Sequence, residues 1–172
     1  QPGIRAVLCL FEGVVTGAAD GYGRMADKPA LTLLHLGPGF ANGIANLHNA
    51  QRARSPILNM IGDHATDHLQ HDAPLTSDIR GFASPVSRTY LASESATTLA
   101  QTGLNALAAS LTYPGSISTL VVPADHAWTA VDTIEYHLPE VTTERVSEEA
   151  VQTVAKMLCD ASNSCLFLGG RA

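Results

Sequence analysis

The feature that most restricts the fold of this chain is an alternation of short apolar runs with glycine-initiated helical patterns. Ala30 to Leu36 reads as a strand, Gly37-Pro38-Gly39 as a tight turn, and Ala41 to Arg54 as a helix with Ile44 and Leu47 inward. Ahead of them, Ile4 to Phe11 is apolar except for Arg5, the pattern of a strand buried on both faces, and Gly13 to Ala26 carries apolar residues at helical spacing. Ile57 to Ile61 follows Pro56 as a third strand and Val86 to Leu91 is a fourth. Ser93 then stands as an N-cap for a helix from Glu94 to Leu111, and Ser116 to Val122 is a last buried strand closed by Pro123. Elements of this length in this order predict an α/β fold, a parallel sheet flanked by helices on both faces.

The remainder predicts a truncated start of a second α/β domain. Ser147 is a plausible N-cap for a helix through Val151, Val154 and Leu158, and Cys165 to Leu168 reads as a strand. One helix and one strand cannot bury a core of their own. The expected organisation is a first domain over 1–131, a linker over 132–145 without helical or strand period, and the opening of another domain over 146–172.

Composition then narrows the function classes. Of 172 residues, 45% are hydrophobic and only 15% charged, so the chain is not disordered. Its formal net charge of −6, with no basic stretch, argues against nucleic-acid binding that relies on phosphate neutralisation. Apolar runs such as Ile117 to Pro123 fall far short of the roughly 20 residues of a membrane span. Cys9, Cys159 and Cys165 are scattered in apolar surroundings, which suits reduced core thiols and a cytoplasmic location. Gln1-Pro2-Gly3 shows neither an initiator Met nor a basic targeting region, and the true N-terminus is expected to lie upstream.

Glu12 is the first candidate for chemistry. It lies at the carboxyl end of an apolar run and opens a glycine-rich helix, the crevice where open α/β sheets bind ligands, so its carboxyl group is partly desolvated and placed to share a proton with a ligand nitrogen. The competing reading is a helix-start glutamate favoured by the macrodipole. The helix carries Gly13, Gly17, Gly21 and Gly23, and a helix-interior glycine costs about 0.5–1 kcal/mol relative to alanine. Close approach of another backbone or a ligand offsets that cost, with Gly13, Gly17 and Gly21 spaced along one face. Asp20 and Arg24 form an i,i+4 pair of the solvated kind.

Gly37, Pro38 and Gly39, before a helix, could hold an anion or the polar edge of a cofactor, or form a simple turn. Neither GxxxxGK[ST] nor GxGxxG occurs, so this is no phosphate loop. Asn42, Asn46, His48 and Asn49 on the next helix read as solvated side chains. Between Gly62 and Pro85 the periodic pattern stops, and His64, His68 and His71 stand among several Asp residues. Histidines at this spacing could ligate a metal, but Pro74 and the absence of HExxH favour an exposed loop or one bordering a substrate pocket. No metal ligands are assigned, and Cys9 has no adjacent histidine to make it a nucleophile.

The combination resembles a known family. Leu10-Phe11-Glu12-Gly13-Val14 through Ala19-Asp20-Gly21-Tyr22-Gly23-Arg24, followed by His35-Leu36-Gly37-Pro38-Gly39 with Asn42, is similar to the pyrimidine-binding domain of thiamine diphosphate enzymes, in the acetolactate synthase and 2-oxoacid decarboxylase group. The likeness covers residues 4 to about 127, with the domain's first strand and helix expected before residue 1 and the central domain opening at 146. The resemblance implies that Glu12 hydrogen-bonds a ring nitrogen of the aminopyrimidine, which favours the imino tautomer that deprotonates thiazolium C2. It also implies that Gly37, Pro38, Gly39 and Asn42 line the pyrimidine pocket, and that the glycine face of the first helix packs at a subunit interface.

Departures from the family pattern bear on the reaction. Phe11 stands where many relatives have histidine, and His71-Asp72 matches only the first of two adjacent histidines found in pyruvate decarboxylases. Acetolactate synthases usually have Gln in this region. The GDG and Asn motif that binds Mg²⁺ and diphosphate is absent, so those ligands lie outside this chain, while FAD binding is left open. The resemblance thus implies the N-terminal part of a homodimeric or homotetrameric enzyme, with its active site at the subunit interface, that decarboxylates a 2-oxoacid and passes the product unit to an acceptor. A non-ligating decarboxylase, of the benzoylformate or pyruvate kind and using His71, and a non-catalytic interaction domain of the same fold are the alternatives.

Overall fold

In the computed structural model, residues 3–132, 135–137, 139–141 and 145–169 are described. The chain divides into two compact units, 1–141 and 142–172.

The first unit is built on four parallel strands, β1 (Ala30–His35), β2 (Ile57–Asp63), β3 (Thr89–Ala92) and β4 (Ile117–Pro123), in the order β1-β2-β4-β3. Helices α1 (Glu12–Ala26), α2 (Leu36–Arg52) and the short α3 (Ile79–Ala83) cover one face, α4 (Leu99–Leu111) covers the other, and α5 (Ala124–Trp128) follows β4 directly. The anticipated α/β fold, a parallel sheet with helices on both faces, is the one found. Side-chain alternation sorts the strands between two cores. Ile57, Ile61, Ile117 and Val121 face Phe40, Leu47 and Ala50, whereas Leu58, Leu120 and Val122 face Ala106. Phe40 is fully buried and meets Phe82 edge-on at 6.5 Å; burying a side chain of this size contributes about 1.5–3 kcal/mol.

Several boundaries differ from expectation. Ile4 to Phe11 is not a strand: it has no ladder partner among the described residues, and Leu8 and Leu10 are 88% and 97% exposed. Apolarity favours a strand only where a neighbouring strand accepts its hydrogen bonds, and β1, the edge of the sheet, is paired only with β2. Gly37-Pro38-Gly39 is the first turn of α2, not a turn ahead of it. The helix expected from Glu94 begins at Leu99, because Ser93 is drawn into other contacts and Ser95 accepts the Thr98 amide instead. Gln101 on α4 bonds both backbone groups of His137 at 2.9 Å, so part of the segment read as a linker is anchored.

In the second unit, α6 (Glu148–Asp160) starts where Ser147 predicts, its hydroxyl accepting from the Ala150 amide. Cys165 to Leu168 is not a strand; Phe167 is 94% exposed and no partner strand stands beside it among the described residues. The thiols are free, yet Cys159 and Cys165 are exposed and Cys9 only half-buried, so they are not core residues. No helix among the described residues is long and apolar enough to cross a membrane.

Candidate cofactor site at the carboxyl edge of the sheet

The site is created by an abrupt strand-to-helix reversal. β1 ends at His35, and the buried Leu36 takes a left-handed conformation, φ +57°, that turns the chain into α2 at once. A side-chain-bearing residue adopts that conformation at a cost of about 1–2 kcal/mol, here offset by burial of the leucine. The glycines that follow have separate uses. Gly37 lies against the Ser77 side chain, where a Cβ would collide, so the stretch after the histidine segment packs over it. Pro38 is exposed in the first turn, where a missing N–H costs nothing. Gly39 faces Glu12; a Cβ there would stand 3.4 Å from Oε1.

Glu12 opens α1 at this edge and is half-buried. Asn42 Nδ2 donates to its Oε2 at 3.2 Å, and Oε1 accepts no hydrogen bond among the described residues. The fold therefore brings together Glu12, Gly39 and Asn42 of the residues singled out from sequence, with Pro38 exposed next to Gly39 in the same turn and Gly37 against Ser77. His71 is placed differently. It ends a short 3-10 turn, Leu69–His71, is exposed, and contacts His68 at 5.6 Å between ring centroids, while His68 in turn lies 5.2 Å from His64. No contact joins His71 to Glu12 among the described residues. Nor do three or more His, Cys, Asp or Glu side chains there form a group able to hold a metal.

The glycines of α1 do not share one role. Gly17 lies against Asn46, Gly23 against Pro56, and Gly21 faces open space, so Gly23 rather than Gly21 makes the close approach. Asn46, read as solvated, instead donates to the Gly13 carbonyl at 2.6 Å. Asp20 does more than pair with Arg24 at 2.6 Å, since it also accepts from Ser55 at 2.5 Å and so ties α1 to the approach to β2. Burial opposes its charge, but the hydrogen bonds from Arg24 and Ser55 hold its carboxyl below the ordinary value.

Two further groups escaped sequence reading. On α5, the Asp125 carboxylate accepts from the Thr66 hydroxyl at 2.6 Å and the Thr66 amide at 3.0 Å, which tethers the start of the histidine segment. These bonds, the hydroxyl first, keep Asp125 below the usual carboxylate range despite some desolvation. Beside it, buried His126 places Nδ1 3.0 Å from Ser93 Oγ. The only trace in the sequence is Asp125-His126 directly after a buried strand.

Comparison with known proteins bears on this arrangement. Residues 1–82 match the family described as thiamine pyrophosphate enzyme, N-terminal TPP binding domain. A Mycobacterium tuberculosis protein named for the acetolactate synthase large subunit, IlvX, is 53% identical over 127 residues, which is 74% of this chain and 24% of that protein. The chain belongs to the thiamine pyrophosphate enzyme family, as its N-terminal domain. Benzoylformate decarboxylase of Pseudomonas aeruginosa is 34% identical over 73 residues, 42% of this chain and 14% of that enzyme. The fold of this family domain also matches that of a thiamine diphosphate-dependent 4-hydroxybenzoylformate decarboxylase from Rhodococcus jostii RHA1, with TM-score 0.81 and 22% identity over 95% of this chain and 32% of that one. The chain spans about a quarter of the length of the curated relatives it matches first.

Proposed function

We propose that this chain is the pyrimidine-binding part of an acetolactate synthase-like enzyme that decarboxylates a 2-oxoacid and transfers the resulting unit to an acceptor. The observation that carries this is the Glu12 carboxylate, half-buried at the carboxyl edge of the sheet, with Oε2 held by Asn42 and Oε1 unengaged beside Gly39. The residues present fit an aminopyrimidine. A carboxylate oxygen is available to a ring nitrogen, and the absence of a Cβ at Gly39 keeps that side open. When bound, thiamine diphosphate supplies the carbanion chemistry that decarboxylation of a 2-oxoacid requires. Glu12 binds the ring and holds a proton at Oε1; Pro38 and Gly39 shape the pocket wall.

Mg²⁺ and the diphosphate are assigned to residues outside this chain, the assembled site to an interface in a homo-oligomer, and the unit beginning at 142 to the opening of the next domain. The 53% identity to IlvX supports the synthase-like reading. A second reading, a non-ligating decarboxylase in which His71 borders the substrate, draws on the benzoylformate decarboxylase similarity and on the exposure of His71.

The test is Glu12→Gln in the complete enzyme, with deuterium exchange at thiazolium C2 and turnover both measured. Gln keeps the shape and loses the ionisable group, so both should fall about 10²–10⁴-fold, the usual contribution of general acid–base participation. Exchange as fast as in the unmodified enzyme refutes the assignment. For the second reading, His71→Ala should slow turnover with cofactor affinity nearly unchanged, and an unchanged rate would return His71 to an ordinary surface position.

A further inference from the structure

We infer that Asn42 and Asn46 are positioning residues, a two-point clamp on α2 that presents Oε1 of Glu12 to the pocket; this rests on the proposed function of Glu12. The two asparagines are one turn apart on α2 and therefore project from the same face. Asn42 takes the Glu12 side chain at Oε2, and Asn46 takes the backbone of the next residue through the Gly13 carbonyl at 2.6 Å. One bond orients the carboxylate, and the other fixes the helix turn from which it projects.

The surrounding residues are shaped to allow this. A Cβ at Gly17 would stand 3.2 Å from Asn46 Nδ2, tighter than such contacts normally are, so glycine gives the amide its room. Between the two asparagines, the Thr16 hydroxyl lies 3.0 Å from the Gly43 carbonyl and 3.1 Å from the Glu12 carbonyl, and Thr16 is fully buried. The start of α1 is thus held at three successive levels by α2. A neutral amide donor suits the task. It engages one carboxylate oxygen without neutralising the charge, as a lysine or arginine there would, and leaves the second oxygen for a ligand. Asn42, assigned from the resemblance to the cofactor pocket, acts in this arrangement on Glu12.

The clamp can be read without cofactor from the three-bond scalar couplings that report the Glu12 χ1 rotamer in this chain, with thermal unfolding of each variant as the control for structure. The unmodified chain should show one dominant rotamer. Asn42→Ala, at an exposed position that leaves packing intact, and Asn46→Ala should each give averaged couplings in a folded protein, and Asn46→Asp should fail to rescue because a carboxylate cannot donate to the Gly13 carbonyl. A variant that loses only melting temperature while the Glu12 couplings stay those of a single rotamer would reduce that asparagine to a structural role and overturn its part in the clamp. If Asn46→Ala does not fold, Asn42→Ala decides the matter alone, since unchanged couplings there overturn the proposal. Titration of the complete enzyme, unmodified and carrying each substitution, with thiamine diphosphate and Mg²⁺ separates the two ideas. About a tenfold loss of affinity in the variants supports positioning for the cofactor, whereas averaged couplings with no cofactor response in any protein leave the clamp standing and count against the proposed function.

Discussion

The Thr32 hydroxyl on β1 donates a 2.6 Å hydrogen bond to the side-chain carbonyl of Asn59, its register partner on β2. Asn59 passes the chain on, donating at 3.2 Å to Thr119, its own register partner on β4, which lies 2.6 Å from Ser87 Oγ. This buried row crosses three strands at one level, and a slip of one residue in any pair would leave its members unpaired in the core.

Replacing Asn59 with Leu should therefore destabilise although it adds apolar surface, because it strands the Thr32 hydroxyl and leaves Thr119 with Ser87 alone. A buried unsatisfied group costs about 1–3 kcal/mol, so urea unfolding should show a loss of roughly 1–3 kcal/mol. Thr32→Val combined with Asn59→Leu should recover part of it. A single variant as stable as the unmodified chain would show that the row contributes nothing to stability.

At Leu36 the usual order of alanine and glycine should invert. In ordinary helix or strand positions glycine is about 0.5–1 kcal/mol worse than alanine. At φ +57° alanine retains the left-handed strain and glycine does not, so Leu36→Gly should equal or exceed Leu36→Ala in stability, both falling below the parent for loss of the buried side chain. Chemical denaturation of the pair decides it, and alanine clearly above glycine would contradict the strained conformation.

Gly43→Ala tests how tightly α1 and α2 meet. Alanine normally favours a helix by about 0.8–1 kcal/mol over glycine. Here its Cβ would stand 2.7 Å from Thr16 Cγ2, on a side chain whose hydroxyl is held by two carbonyls, so the threonine cannot swing away. The substitution should cost about 1–3 kcal/mol, the typical penalty of overpacking. Thr16→Ser, which removes that methyl and keeps the hydroxyl, should relieve the collision in the double variant; additive losses would locate the strain elsewhere.

Acidification should release the histidine segment from α5. Asp125 has its carboxyl pKa lowered on folding, by the Thr66 hydroxyl first and then the Thr66 amide, with the His126 charge a smaller contribution. A lowered folded-state value means that the tether contributes fully above the unfolded carboxylate value of about 3.9 and is lost as pH falls through the folded-state value. The Thr66 amide resonance should follow that transition, and Thr66→Val should move Asp125 back toward its ordinary value. A Thr66 amide that does not respond at acid pH would refute the tether as a charge-dependent contact.

Much of this protein was legible in the sequence because its information is local. Apolar runs, glycine placement and Ser147 marked most of the parallel strands and helices, and the spacing from Glu12 to Gly37-Pro38-Gly39 and Asn42 pointed to one edge of the sheet, as the fold has it. Tertiary structure alone decided the rest. Whether Ile4 to Phe11 becomes a strand depends on a neighbour, since a ladder takes hydrogen bonds from two segments and no local pattern supplies the second. Asn46 read as solvated, Ser93 as an N-cap, and Thr66 and His126 carried no signal, because their partners lie 33–59 positions away in the chain, at Gly13, Asp125 and one another. A polar side chain reveals its role through the one group it meets, and that meeting exists only once the sheet has brought the two segments together.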